Sequence, residues 1–276
     1  MNFTLDKSTH DRLFQQIKKD VFKNKFPEKN PEIFIVGGQP GSGKSTLIKK
    51  LSSQHNAAVI INGDDYRKYH PQSDYIGSVH NKRYTEFTDA DVRVWTKKIF
   101  TYAINNQYSI IFEGTFRTME ICDTIKQLKC SGYQVNVQVM AVDRYQSRLA
   151  TMYRYERQLI QGYIARYTSA QSHEDAYKNM PITLKKILED GNANSIELYG
   201  RNGKIPISDG IIKCLNMERN RSWTPNEHGL FLCHAKEVAK MIKERNSSAK
   251  EICEIRQLIK IAEKEKLLDC LGIERE

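Results

Sequence analysis

The sequence predicts an α/β fold, an open and mainly parallel sheet with helices on both faces. Three observations carry this. Short apolar runs of strand length alternate with longer helical stretches, the pattern of β-α-β units. The segment Gly38-Gln39-Pro40-Gly41-Ser42-Gly43-Lys44-Ser45 stands between the first such run and a helix, where a glycine-rich anion loop belongs. Polar and acidic clusters close the second and third runs, at the carboxyl edge where open parallel sheets bind ligands.

Taken in order, residues 8–26 read as a basic amphipathic helix with Leu13, Phe14, Ile17, Val21 and Phe22 on one face. Pro27 and Pro31 bracket a linker into the buried strand Ile33-Phe34-Ile35-Val36. Thr46–Leu51 reads as the helix leaving the loop. Ala57–Ile61 is the second strand, ending at Asn62-Gly63-Asp64-Asp65. A polar excursion through Pro71 leads to a helix from about Asp89 to Asn105. Ser109–Phe112 is the third strand and closes on Glu113-Gly114-Thr115. The next helix carries Ile121, Ile125 and Leu128 and stops at Ser131-Gly132. Val135–Val142 is the fourth strand, and its polar–apolar alternation predicts one less buried face. A long Arg/Tyr-rich helical region spans about Tyr145 to Met180. Arg201-Asn202-Gly203, flanked by Ser195–Tyr199 and Lys204–Ile207, is a hairpin signal. From Pro225 two charged helices carry stripes such as Ile252, Ile255, Ile259 and Ala262. This divides the chain into an N-terminal helix and linker (1–30), an α/β core (31–224) and a C-terminal helical extension (225–276).

With 276 residues, 39% hydrophobic and 28% charged, the composition is that of a soluble globular protein. No apolar run approaches a membrane span, and the first residues lack a secretory pattern. Six scattered cysteines without a Cys-x-x-Cys read as reduced, mostly structural thiols, so a cytoplasmic location is expected. The net charge of +10 raises the question of nucleic acid. Its distribution weakens that reading, because the charges nearly balance from Lys236 onward, and a small polyanionic substrate accounts for the rest as well as a nucleic acid does. Between Arg144 and Arg166 five arginines meet one acid, Glu156. Forked guanidinium groups suit the oxygens of a small polyanionic substrate.

The loop glycines permit a turn whose N–H groups converge on an anion at a helix start. Lys44 would reach the β- and γ-phosphates of a nucleotide, and Ser45 would offer its hydroxyl to Mg2+. Asp64 or Asp65 could accept a proton from an acceptor hydroxyl, or could simply cap Tyr66–Tyr69. Glu113 could hold Mg2+ through water or grip the acceptor, against a local role in satisfying backbone donors. The arginines form a lid over about 145–180: Arg154 and Arg157 are one turn apart, and Arg166 follows Gly162, where the chain bends back. Arg144 and Arg148 read as a solvated helix face.

At these residues the chain resembles the zeta toxins of epsilon/zeta toxin–antitoxin systems. Gly37–Ser45, Asp65–Pro71, Glu113-Gly114-Thr115 with Arg117-Thr118, Val139–Val142, Arg154-Tyr155-Glu156, Ala165-Arg166 and Leu198–Gly203 carry the likeness, over about residues 10–210. The resemblance implies a sheet of the P-loop kinase type, ATP or GTP with Mg2+, and phosphorylation of UDP-N-acetylglucosamine or a related UDP-sugar that disrupts cell-wall synthesis. It implies nucleotide contacts from Gly38, Gln39, Pro40, Gly41, Ser42, Gly43, Lys44, Ser45 and Thr46. Asp65 is then the base, Arg154 and Arg166 face the γ-phosphate, and Glu113, Thr115 and Arg117 line the acceptor site. A small helical epsilon-like antitoxin is implied too, with residues 8–26 part of its docking surface. One position departs: counting back from Glu113, the family's acid at the sugar is Lys97 here, which would favour a more anionic acceptor. Two further readings remain, a P-loop kinase of another acceptor (a nucleic-acid end, an antibiotic or a small metabolite) and a nucleotide-switched module that is not an enzyme.

Overall fold

The computed structural model describes residues 3–271. Six strands form one sheet: β1 (Glu32–Gly37), β2 (Val59–Ile61), β3 (Ile110–Glu113), β4 (Gln134–Met140), β5 (Ser195–Gly200) and β6 (Gly203–Ile205). Their order is β2-β3-β1-β4-β5-β6, all neighbours parallel except the β5–β6 hairpin. β1 is central, and its run Ile33–Gly37 is buried throughout, as a strand covered on both faces must be.

One face is covered by α2 (Lys44–Gln54), whose Leu47, Ile48 and Leu51 pack on Phe34, Val36, Ile111 and Met140. The other face carries the main core. Here Ile33, Ile35, Val59, Ile61, Ile110, Val135 and Val137 meet α1 (Lys7–Val21), α4 (Tyr84–Asn105), α5 (Glu120–Cys130) and α7 (Ala170–Asp190). α6 (Arg144–Ile160) leaves the end of β4 and packs instead on α9 (Pro225–Glu244) and α10 (Ala249–Leu271). Leu149, Met152, Trp223, Phe231, Val238, Ile242, Ile255 and Leu258 form this second core.

Several expectations need correction. The N-terminal helix stops at Val21 rather than 26, and its apolar face is already taken: Leu13 and Ile17 are buried in the core, with Phe14, Val21 and Phe22 packed beside them. Only its polar face is left for a partner. The polar excursion is largely helical, with a 3-10 turn over Gly63–Tyr69, α3 (Ser73–Val79), and α4 beginning at Tyr84 rather than Asp89. The Arg/Tyr-rich region forms two helices that part at the expected bend; α6 ends at Ile160 and the chain reverses through Gly162 (φ 70°) before α7. α8 (Ile211–Asn220) was not expected. Polar residues of β4 are less exposed than alternation suggests, because Asn136 meets Ser195 and Gln138 meets Glu197 on β5. Of the cysteines, Cys122 and Cys214 are buried while Cys130, Cys233 and Cys253 are exposed, and all five are free. The side chain of Cys270 lies outside the described residues.

The docking of α1 on α4 centres on Trp95, fully buried, stacked on His10 at 5.0 Å and donating its indole N–H to the His10 carbonyl. Trp95→Ala should lower the unfolding free energy by about 3–5 kcal/mol, read as a shift in the urea midpoint.

Candidate active site

The sheet order decides what can meet at its carboxyl edge. With β3 between β1 and β2, residues closing these three strands lie side by side. The loop after β1 is built from left-handed glycines, Gly38 (φ 148°), Gly41 (φ 77°) and Gly43 (φ 97°). A Cβ on Gly41 would stand 2.0 Å from the Ser147 carbonyl oxygen, so only glycine fits between loop and α6. Gln39 is fully buried and donates to the Val142 carbonyl and the Ser147 hydroxyl, which also bonds His173 at 2.9 Å. Burial keeps the His173 imidazole neutral, its pKa pushed down to about 3. Arg201, at the β5–β6 turn, donates to the Gly41 carbonyl at 3.0 Å. These supports were not read from the sequence. His173 lies 134 positions beyond Gln39, and nothing local marks it.

Lys44 is buried and folds over the loop, donating to the carbonyls of Gly38 and Gln39 at 2.8 and 3.2 Å. Its ammonium stands 3.7 Å from the Glu113 carboxylate at the end of β3. Burial lowers its pKa to about 8, against the pull of Glu113 and reinforced by Arg166 and Arg154. Ser45 and Thr46 are exposed in the first turn of α2. The Ser42 hydroxyl is buried without a partner.

Asp64 and Asp65 both follow β2 but face differently. Asp64 accepts from Arg67 at 2.8 Å and is ion-paired to Arg166. Burial works to raise its pKa, but Arg166 and Arg67 outweigh this and hold it below the ordinary carboxylate value. Asp65 is exposed and its carboxylate makes no hydrogen bond or ion pair among the described residues. Crowding at the cleft wall, then Asp64 and Glu113, push its pKa up. Of the two, Asp64 is the one whose charge is felt at both Lys44 and Arg154.

The lid arginines arrive from the other side. Arg154 is half-buried, with its Nε unpartnered and its pKa lowered to about 10 by burial and then by Arg166. Arg166 follows the bend at Gly162 as expected. Arg157 does not join them; it pairs with Glu237 on α9 at 3.5 Å, since one helical turn from Arg154 already faces the second core. Arg148 is buried rather than solvated, because α10 covers it and supplies Glu254. Arg144 is exposed in part and pairs with Glu174 on α7. Thr115 is half-buried beside Glu113, whereas Arg117 turns outward to the Ser172 hydroxyl at 3.4 Å. Lys97 is exposed on α4 and makes no hydrogen bond or ion pair among the described residues. No described helix is long and apolar enough to cross a membrane.

A family model described as Zeta toxin matches residues 16–210. The chain is 31% identical to Toxin zeta of Streptococcus agalactiae over 201 residues, 72% of this chain and 70% of that one. It is 29% identical to Toxin PezT of Streptococcus pneumoniae serotype 4 over 187 residues, 66% and 74% of the two chains. A solved structure from the PezAT chromosomal toxin–antitoxin system of S. pneumoniae shares the fold with a TM-score of 0.75 at 21% identity, over 87% of this chain and 98% of that one. The structure of AvrRxo1-ORF1:AvrRxo1-ORF2 with ATP shares it more distantly, with a TM-score of 0.56 at 9% identity, over 91% and 88%. The family model spans most of the sheet and the residues gathered at its carboxyl edge, and the chain belongs to the zeta toxin family.

Proposed function

We propose that this chain is a Mg2+-dependent phosphotransferase that moves the γ-phosphate of ATP or GTP to a sugar hydroxyl of UDP-N-acetylglucosamine or a related UDP-sugar. The observation that carries this is the meeting of three cations, Lys44, Arg154 and Arg166, with Asp64 and Glu113 at the mouth of the glycine loop. A polyphosphate would add counter-charge for these cations, and the Arg154 Nε and Ser42 hydroxyl are buried donors without a partner among the described residues. Among the described residues no group of three His, Cys, Asp or Glu could hold a metal by itself. That donor set fits magnesium carried on phosphate oxygens and water with Ser45 as the protein ligand. When bound, the ion neutralises charge on the β- and γ-phosphates.

Lys44 and the loop N–H groups fix the phosphates, while Arg154 and Arg166 close on the γ-phosphate. Of the two acids after β2, the geometry favours Asp64 as base, a departure from the sequence reading of Asp65. Asp64 shares Arg166 and is coupled to Lys44 and Arg154; Asp65 is coupled mainly to Asp64, Glu113 and Lys68. When Arg166 turns to the phosphate, Arg67 keeps one Asp64 oxygen and the other is freed toward the acceptor. The hydroxyl proton passes to Asp64, its oxygen bonds the γ-phosphorus, and the bond to the β–γ bridging oxygen breaks, leaving the nucleoside diphosphate. Glu113 and Thr115 line the acceptor side, with Arg117 at its outer rim and Lys97 on the α4 surface. The family relationship also supports a cytoplasmic toxin whose effect on cell-wall synthesis is neutralised by a helical antitoxin protein.

Incubation with ATP, Mg2+ and a panel of UDP-sugars should give a product heavier by one phosphate, read by mass spectrometry. No gain with any member of the panel would refute the acceptor class. Asp64→Asn should abolish turnover with nucleotide affinity kept, while Asp65→Asn should retain activity within about tenfold. The reverse order returns the base role to Asp65. Arg154→Ala and Arg166→Ala should each reduce kcat by about two to five orders of magnitude. Phosphate oxygens on Nζ would raise the Lys44 pKa from its empty-site value near 8, so binding takes up a proton on the alkaline side. Affinity for ATP should therefore be level below pH 8 and fall by up to about tenfold per pH unit above it. Titration calorimetry in buffers of different ionisation enthalpy reads both the fall and the proton.

A further inference from the structure

The turn between α6 and α7, residues 161–169, carries Arg166, and it is short of anchors of its own. It has no strand partner, and Tyr163 at its tip is exposed. Its holds come from outside. Gln158 accepts from the Arg166 N–H at 2.9 Å. Ile164 packs over Gly77 of α3, and Tyr167 lies edge-on to Tyr155 with the Lys82 ammonium 5.6 Å from its ring centre. The firmest hold is Arg148, whose Nη1 donates to the Thr168 carbonyl at 2.7 Å and to the Thr151 hydroxyl at 3.0 Å. Thr168 in turn accepts from Arg154 at its hydroxyl. One buried guanidinium thus fixes the backbone two residues from one lid arginine and the side-chain partner of the other.

Arg148 is only 7% exposed, and a buried guanidinium needs a counter-charge. That charge comes from α10: Glu254 takes the opposite edge of the fork, at 2.5 and 2.9 Å. The same helix reaches further. Glu251 pairs with Lys82, from the turn before α4, at 2.8 Å. Where α9 passes to α10, Arg245 forks onto buried Glu156 of α6 at 3.0 and 2.6 Å. The C-terminal helices therefore touch the lid helix, the arginine-bearing turn and the α3–α4 side of the cleft through paired charges, over an apolar seam of their own.

We propose that α9 and α10 are a brace for the lid, in which Glu254 and Arg148 are positioning residues that aim Arg154 and Arg166. This assigns a task to a segment beyond the matched family region, which ends at residue 210. The physical reason is geometric. Glu254 orients the guanidinium plane, the plane sets the direction of Nη1, and Nη1 places the Thr168 carbonyl. Lysine at 148 would keep the charge yet lose the two-edged reach.

The inference rests on the kinase reading for its effect on turnover, so the test has two readouts. Hydrogen–deuterium exchange of residues 161–169 in the full, nucleotide-free chain reports the brace alone. Phosphorylation of UDP-N-acetylglucosamine with ATP reports its consequence. Glu254→Gln and Arg148→Lys should each speed exchange in 161–169 by about tenfold or more, leaving β1 and α2 protected as before. Each should lower kcat by about 10- to 100-fold while ATP affinity changes less than about threefold, since the loop and Lys44 are untouched. Glu237→Gln, which removes the exposed partner of Arg157 on the same face, should leave both readouts at wild-type level. Native exchange in 161–169 for both variants overturns the proposal, whether or not the wild-type protein phosphorylates this sugar. So does a kcat loss that vanishes when the assay is run well below the melting temperature, because it would then report stability alone. Wild-type inactivity with faster exchange in the variants leaves the brace standing and refutes the acceptor instead.

Discussion

The approach of the Lys44 ammonium to the Glu113 carboxylate is the constraint on which the site depends. A buried lysine needs compensation, and the nearest source is the neighbouring parallel strand. That is available only because β3 inserts between β1 and β2, so that a residue ending β3 stands beside the loop after β1. The same insertion puts the end of β2 within electrostatic reach, which is how Asp64 comes to be felt at Lys44. Strand order therefore does chemical work before any side chain is chosen. A sheet with these strands in sequential order would separate the loop from one of its two acids.

The parts of this arrangement that depend on short stretches of chain are legible in the sequence. Four strands, the loop, the hairpin and the two last helices follow from local periodicity and turn residues. So does the bend at Gly162, because glycine there takes the left-handed conformation that reverses the chain. Among the site residues the misreadings are long-range. Arg148 reads as solvent-facing and Arg157 as a lid residue beside Arg154, since their partners, Glu254 and Glu237, stand 106 and 80 positions later. His173 and Arg201 support the loop from equally remote positions. The adjacent pair Asp64-Asp65 is ambiguous in sequence for a different reason. Both lie in a 3-10 turn, where neighbours diverge by about 120°, so one position decides which acid meets the arginines. Nothing in the local sequence settles that phase.

A lid is usually pictured from its front, where its arginines face the nucleotide. Here the back is equally informative. The chain places a forked ion pair behind each half of α6, Glu254 on Arg148 and Arg245 on Glu156, and links them by an apolar seam. Exposed single pairs contribute little, but a forked pair around a buried guanidinium fixes direction as well as distance. Direction is what a guanidinium reaching a phosphate requires. An arginine side chain is long, and its reach is useful only if its backbone starts from a defined place.

Front and back together explain how three like charges can crowd an empty cleft. Burial lowers the pKa of Lys44 and of Arg154, and the neighbouring guanidinium of Arg166 adds to both. Left alone they would separate. Two features prevent this: the strand-end acids act as counterions from below, and the paired charges behind α6 hold the lid from above. Entry of a polyphosphate would exchange one set of anions for another. The cations would keep their places, while Asp64 and Glu113 would lose partners that had masked them. On the proposed mechanism Asp64, whose pKa Arg166 and Arg67 hold down, would regain basicity as Arg166 turned to phosphate. The cleft thus presents to a polyanion the charges that the proposed reaction needs, and on that reading the exchange that binds the nucleotide would also ready Asp64 to take a proton.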